Sequence, residues 1–240
     1  MLNPLEQFLV KPIISFTVFS HTISFTNSTL AFFATYIIIL LLTKIACRNS
    51  SLIPNKIQAC GEAFFLLIDN MLISTAGKQS QKFFTLIFSL FMFILVSNSI
   101  GMIPFGFTTT SHIFVTFTLA IFVFITITIV GFIKNGFSYF SLLLPKGTPI
   151  FLAPLIILIE LFAYLARPVS LSIRLAANMT AGHVVLKVLA TFVVLSGLLG
   201  VMPFILLTIL TGFEIFISIL QAYIFSVLTC AYLSDALNLH

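Results

Sequence analysis

The sequence predicts an all-α integral membrane protein: three ordinary transmembrane helices, one interfacial amphipathic helix, and a hairpin of two long, steeply tilted intramembrane helices. Three observations lead there. The chain is 60% hydrophobic and 7% charged over 240 residues, whereas an average soluble domain is roughly 25% charged. Three stretches of bilayer length carry no Asp, Glu, Lys or Arg. The C-terminal part is apolar over lengths that exceed a bilayer, yet it holds charged residues in its interior. Eleven Lys and Arg with six Asp and Glu cannot solvate the surface of a water-soluble protein of this size. A soluble enzyme, a nucleic-acid binder and a disordered chain are thereby excluded. The net charge of +5 is read first as topology.

A crossing helix needs about 20 largely uncharged residues. Residues 22–43, 83–103 and 113–133 each satisfy this, bounded by His21 and Lys44, by Lys82 and Pro104, and by His112 and Lys134. Between the first two, in residues 56–77, the apolar residues Ala63, Phe64, Leu67, Ile68, Met71 and Leu72 recur in helical steps. Glu62 and Asp69 are seven apart and therefore share a face. That pattern fits an amphipathic helix lying along the interface, with a water-facing loop as the alternative.

Basic residues set the orientation. Lys44, Arg48, Lys56, Lys78 and Lys82 lie between the first and second crossings, and Lys134 and Lys146 follow the third. The loop 101–112 has no Lys or Arg, and the stretch before the first crossing has only Lys11. The positive-inside rule puts the N-terminus outside and region 44–82 inside. The first twenty residues lack the basic opening of a cleavable signal. Cys47, Cys60 and Cys230 have no metal-ligand spacing and read as small buried hydrophobes. With 29 Phe and no Trp, the composition suggests an AT-rich, organellar coding genome.

The pattern changes from residue 148. One apolar segment runs to about Ser196, Gly197, Gly200 and Pro203 punctuate, and a second runs to about Leu237. Hydropathy alone marks 188–213 as a crossing, but those three residues in its middle argue for a turn. As helices the two segments would span about 70 Å and about 50 Å. The hydrocarbon core is about 30 Å thick. They must tilt far beyond the usual ~20° or break at Pro168 and Gly182. The chain is thus read as one membrane domain, 1–240, with N-terminal helices in 1–147 and a charged hairpin in 148–240.

Glu160, Arg167 and Arg174 are seven apart on the first long segment, and Asn178 joins their face. Glu214 and Gln221 repeat that spacing on the second, with Ser218 between them. An Arg at mid-membrane costs about 2.5–3.5 kcal/mol on insertion scales, so such residues face water, a partner or an ion path. Each stripe is a path or a seam. Arg174 lies too deep to reach either surface. Its guanidinium stays protonated, which makes it a poor proton carrier and a good fixed charge that holds a carboxylate ionised. Glu160, Glu214, Asp235 and His183 can each gain and lose a proton. The alternative is that the charges pair with one another to lock the hairpin, Glu160 with Arg167 foremost. Lys187 reads as snorkelling to the outer surface. His21, His112 and His240 read as interfacial.

The run Arg167-Pro-Val-Ser-Leu-Ser-Ile-Arg174-Leu-Ala-Ala-Asn178-Met-Thr-Ala-Gly182-His183 resembles the signature of subunit a of the rotary ATP synthase, the proton-conducting stator subunit of its membrane sector. Glu214, Gln221 and Tyr232-Leu-Ser-Asp235 are similar to its last helix. Asn98-Ser-Ile-Gly-Met-Ile-Pro104 is similar to the end of its helix before the outer loop, and Asn3-Pro-Leu-Glu-Gln-Phe8 to its mitochondrial opening. The resemblance implies that Arg174 faces the carboxylates of the rotating c-ring, with Asn178 and Gln221 as polar neighbours. It implies that His183 and Glu214 line an inlet half-channel, in the order typical of mitochondrial or alpha-proteobacterial members. Glu160 and Asp235 would line an outlet half-channel, with Arg167 and Ser218 in support.

The implied partners are the c-ring, peripheral-stalk and other membrane-sector subunits, and lipid, with no nucleic acid and no cofactor or metal. The implied location is the mitochondrial inner membrane, N-terminus in the intermembrane space and C-terminus in the matrix, or alternatively a bacterial inner membrane. ATP is made elsewhere in such a complex, and no Walker-type Gly-rich loop is present in this sequence. Two other classes remain open. A small ion-coupled transporter would tend to show internal repeats, and none is visible. A structural subunit of a respiratory complex would use its charges only as glue between helices.

Overall fold

The computed structural model describes residues 8–18, 21–47, 54–103, 106–143, 151–196 and 200–238. Two strands, β1 (Pro12–Val18) and β2 (His21–Thr26), precede six helices: α1 (Asn27–Cys47), α2 (Lys56–Ala76), α3 (Phe84–Gly101), α4 (Ile113–Asn135), α5 (Ala153–Leu195) and α6 (Val201–Leu237). Short 3-10 turns occupy Lys78–Phe83, Thr109–Ser111 and Gly136–Leu143. All six helices are long and apolar enough to cross a membrane by length and composition, α2 being the least apolar. The helical fold class holds.

The antiparallel ladder of β1 and β2 corrects the start of the first crossing. From Thr22 to Thr26 the sequence alternates polar and apolar residues with a period of two, which suits a strand. The helix starts only where caps are available. Thr26 and Thr29 exchange bonds, the Thr29 hydroxyl taking the Thr26 N–H at 2.9 Å and the Thr26 hydroxyl taking the Thr29 N–H at 3.4 Å. α1 therefore begins at Asn27 and continues to Cys47.

α3 and α4 fall within two residues of the expected crossings. α2 starts behind Asn55, whose side chain accepts from the Lys56 N–H at 2.8 Å. It stops at Gly77, whose φ of +77° lies in the left-handed region that favours glycine. Ile68, Met71, Leu72 and Ala76 form its buried face, while Glu62 is exposed. Its exposed side also carries Ile57, Phe65, Leu66 and Leu67.

α5 is one uninterrupted helix of 43 residues, about 65 Å long, and α6 has 37 residues and spans about 55 Å. Neither Pro168 nor Gly182 breaks α5, so of the two ways of fitting such lengths into a bilayer the break is not used. In an apolar medium every backbone group must find a partner within the chain, and losing one bond at Pro168 is less costly than ending the helix there. The turn falls where the punctuation lies. α5 ends at Leu195, Gly200 directly precedes α6, and Pro203 sits in the first turn of α6, where a missing N–H is harmless. Gly197 lies outside the described residues.

The chain divides into two compact units. The first comprises Met1–Asn49, Met92–Ile113 and Leu175–Ala222. Within it, the C-terminal part of α5 and the N-terminal part of α6 run antiparallel, Asn178 meeting Gln221 and His183 meeting Glu214. Ile94, Leu175 and Met179 are among its buried side chains. The second comprises Ser50–Phe91, Phe114–Arg174 and Tyr223–His240. There the N-terminal part of α5 meets the end of α6 at Arg167 and Asp235, and the buried side chains include Ile68, Leu72, Phe91, Phe225 and Leu233.

Of the cysteines only Cys230 is buried, and Cys47 and Cys60 are exposed, against expectation. Lipid accommodates an apolar side chain as well as protein does, so apolar surroundings in the sequence do not require burial within the chain.

Candidate functional site

In the first unit, the antiparallel packing of α5 and α6 places His183 Nδ1 3.4 Å from Glu214 Oε1. His183 is 9% exposed and Glu214 5%. Gly182 makes room for this carboxylate: a Cβ added there would meet Glu214 Oε1 at 2.6 Å. Nearby, Asn178 Nδ2 donates to Gln221 Oε1 at 3.0 Å. Beside these groups lies an open groove of about 260 Å³, lined by Asn178, Gly182, Phe213, Glu214 and Ile217 among others.

The C-terminal part of α3 and residues 106–112 belong to the same unit. Asn98, fully buried, donates to the Ser218 carbonyl at 3.1 Å and accepts from the Thr110 hydroxyl at 2.7 Å. Thr108 Oγ1 lies 3.0 Å from His183 Nε2, and the Thr180 hydroxyl donates to the Ser111 carbonyl at 3.1 Å. His112 stacks on Phe107, and desolvation by burial holds its imidazole below the ordinary value.

Several buried polar atoms have no hydrogen-bond partner among the described residues: Ser97 Oγ, Thr109 Oγ1, His112 Nε2, both Glu214 oxygens, Ser218 Oγ and Gln221 Nε2. All of these residues belong to the first unit. Each such atom costs about 1–3 kcal/mol if nothing satisfies it. Three of these residues, Glu214, Ser218 and Gln221, lie on the polar stripe of α6, while Ser97 is on α3 and Thr109 and His112 lie in the loop after it.

The second unit holds a different constellation. Arg167 Nη1 lies 3.1 Å from Asp235 Oδ2, and the guanidinium sits 4.9 Å from the Tyr232 ring centre and 5.4 Å from that of Tyr164. The Tyr164 hydroxyl meets that of Tyr139 at 2.9 Å and that of Thr128 at 2.6 Å. The cavity lined by Tyr139, Tyr164, Arg167, Tyr232 and Asp235 among others measures about 10 Å³, room for a single water.

Glu160 does not pair with Arg167, which corrects the lock considered for these two. Groups seven apart on one helix are separated by about 10 Å, beyond the three- or four-residue spacing at which side chains meet. The antiparallel neighbour brings Asp235 alongside instead. Among the described residues Glu160 has no ion-pair or hydrogen-bond partner.

Arg174 stands at the midpoint of α5, half-buried, and makes no ion pair or hydrogen bond with any described residue. Thus the structure joins His183 with Glu214, Asn178 with Gln221, and Arg167 with Asp235. It buries Ser218 on the same face of α6 and leaves Arg174 and Glu160 unjoined.

Sequence reasoning did not identify Thr108, Thr110, Tyr139 or Tyr164, and it used Asn98 only as part of a resemblance. The run Thr108-Thr109-Thr110 in an uncharged loop was the available signal. A sequence model of one known family, described as ATP synthase A chain, matches residues 29–234.

Proposed function

The chain belongs to the ATP synthase A chain family, and on that premise we propose that it passes protons to and from the c-ring through two offset half-channels kept apart by Arg174. Membership makes it a proton-translocating, multi-pass subunit of the membrane sector of an F-type ATP synthase, with the c-ring among its partners. The half-channels and the residue roles are our reading.

The observation that carries it is the state of Arg174. A permanent cation in an apolar helix is expensive unless something compensates it, and no described residue of its own chain does so. A carboxylate supplied by a rotor subunit is the natural counter-ion. Asn178, four residues further along α5, is held to Gln221 by a hydrogen bond of 3.0 Å.

In this mechanism a proton enters past His183 and Glu214 and neutralises a rotor carboxylate, which can then move into lipid. On returning, that carboxylate meets Arg174, which favours its ionised form, and the proton leaves by way of Glu160 and Asp235. Arg167 holds Asp235, and Ser218 extends the polar face on the inlet side. A membrane potential contributes about 2.3 kcal/mol per charge per 100 mV. Because Arg174 does not release its proton, the two half-channels never join into a leak.

We further assign α2 to the interface and the N-terminus to the outer side, leaving the C-terminus inside. The hairpin 148–240 is the conducting part of a single membrane domain. The order His183 then Glu214 favours a mitochondrial inner membrane over a bacterial one. Peripheral-stalk subunits, other membrane-sector subunits and lipid complete the partner set.

The test is ATP-driven proton pumping by the assembled complex in membrane vesicles. Arg174→Ala is expected to abolish coupled pumping while assembly persists, and Arg174→Lys is expected to fail as well because a planar, permanent cation is required. Normal pumping with Arg174→Lys would overturn the mechanism, and normal pumping with Arg174→Ala would leave a scaffold.

A further inference from the structure

We infer that Thr108 is a positioning residue of the inlet site, whose hydroxyl backs the Nε2 edge of His183 and so keeps Nδ1 turned toward Glu214. This rests on the reading of His183 and Glu214 as proton-handling groups. A neutral imidazole needs a partner of opposite sense at each nitrogen, one to accept from its N–H and one to donate to its lone pair. His183 is buried, its Nδ1 faces Glu214 Oε1 at 3.4 Å, and its Nε2 faces Thr108 Oγ1 at 3.0 Å. Phe8 meets the ring edge-on, with centroids 6.4 Å apart, and supplies no polar atom. The Thr108 hydroxyl is therefore the group that determines where the Nε2 edge rests. A hydroxyl can both donate and accept, so it serves either tautomer as a proton passes Nδ1.

The backbone that carries this hydroxyl is pinned. The Thr108 carbonyl accepts from the Ser111 N–H at 3.3 Å and from the Ser111 hydroxyl at 2.7 Å, and Gly106 donates to the Ile103 carbonyl at 2.8 Å. Thr110, two residues on, is tied to Asn98 at 2.7 Å. Gly101 leaves the space in which Thr108 sits: a Cβ there would meet Thr108 Oγ1 at 2.6 Å and Cγ2 at 2.7 Å. Residues 106–112 are thus a fixed mount that aims one hydroxyl at one imidazole edge.

Three variants in the assembled complex, read by passive proton conduction and ATP-driven pumping in vesicles, decide the matter. Thr108→Val keeps the shape and deletes the hydroxyl, and it should slow proton flux on the order of tenfold with assembly intact. Thr108→Ser keeps the hydroxyl and deletes a methyl, and it should stay within about twofold of the parent. Glu214→Gln is the reference for the underlying reading and should slow flux strongly. If Thr108→Val conducts normally while Glu214→Gln is slow, the positioning role falls and the inlet stands. The role also falls if Thr108→Ser is as slow as Thr108→Val, since packing would then be the cause. It falls likewise if the Thr108→Val complex does not assemble, because the side chain would then hold the loop and not the imidazole. Parental flux in Glu214→Gln would remove the inlet reading itself.

Discussion

Arg167 and Asp235 meet at 3.1 Å, and the guanidinium of that pair lies over the rings of Tyr232 and Tyr164. One arginine thus joins an early turn of α5 to the last turns of α6 by charge and by aromatic contact together. The side chains of the pair are 22% and 42% exposed, so the interaction falls between a surface ion pair and a buried one.

Removing the charge should be felt in stability. Arg167→Gln leaves Asp235 without its counter-ion and strips a cation from two rings, a loss of about 1–3 kcal/mol. Arg167→Lys keeps the charge but not the planar fork, and should recover only part of that. Thermal unfolding of the isolated membrane sector measures both. Parental stability in Arg167→Gln would mean that the pair contributes nothing to the fold.

Gly182 controls where the Glu214 carboxylate can rest. Gly182→Ala places a methyl 2.6 Å from Glu214 Oε1 and 2.9 Å from its Cδ, so the carboxylate must move. Overpacking of this kind costs about 1–3 kcal/mol, which corresponds to a several-fold to hundredfold loss if it falls on the proton-transfer step. Proton pumping should drop while assembly persists. Adding Glu214→Asp, which shortens the side chain by one methylene, should restore part of the rate in the Gly182→Ala background. If pumping in Gly182→Ala matches the parent, the close approach is not functionally tight.

The hydroxyls of Tyr139 and Tyr164 are 2.9 Å apart, with Thr128 2.6 Å from the second. Tyr164→Phe leaves two hydroxyls short of a partner, and Tyr139→Phe leaves one. Each change should cost about 1 kcal/mol. The double variant should cost less than the sum, with a coupling of about 0.5–1 kcal/mol, because both changes delete the same bond. A double-mutant cycle on thermal stability checks this, and strict additivity would show that the two groups do not interact.

Much of the fold was legible because its signals are local. Uncharged runs of bilayer length gave α3 and α4 to within two residues, and Gly200 and Pro203 marked the turn before α6. α1 was misjudged at its start because hydropathy does not distinguish a strand from a helix in a short polar–apolar alternation; the distinction came from strand pairing with residues 12–18. The continuity of α5 through Pro168 was likewise undecided by propensity, which marks proline as a break without weighing the demand of an apolar medium.

The sequence by itself determined that charged and polar groups recur every seventh residue on two apolar helices, and hence that each helix carries one polar stripe. Which groups on those stripes meet was decided only by the tertiary structure. Asp235 in place of Glu160 beside Arg167, Thr108 behind His183 and Asn98 beneath Ser218 all depend on antiparallel register and on a loop folded against α5. Helical period is a property of one segment. Register and partner choice are set by packing between distant segments, which no local pattern encodes.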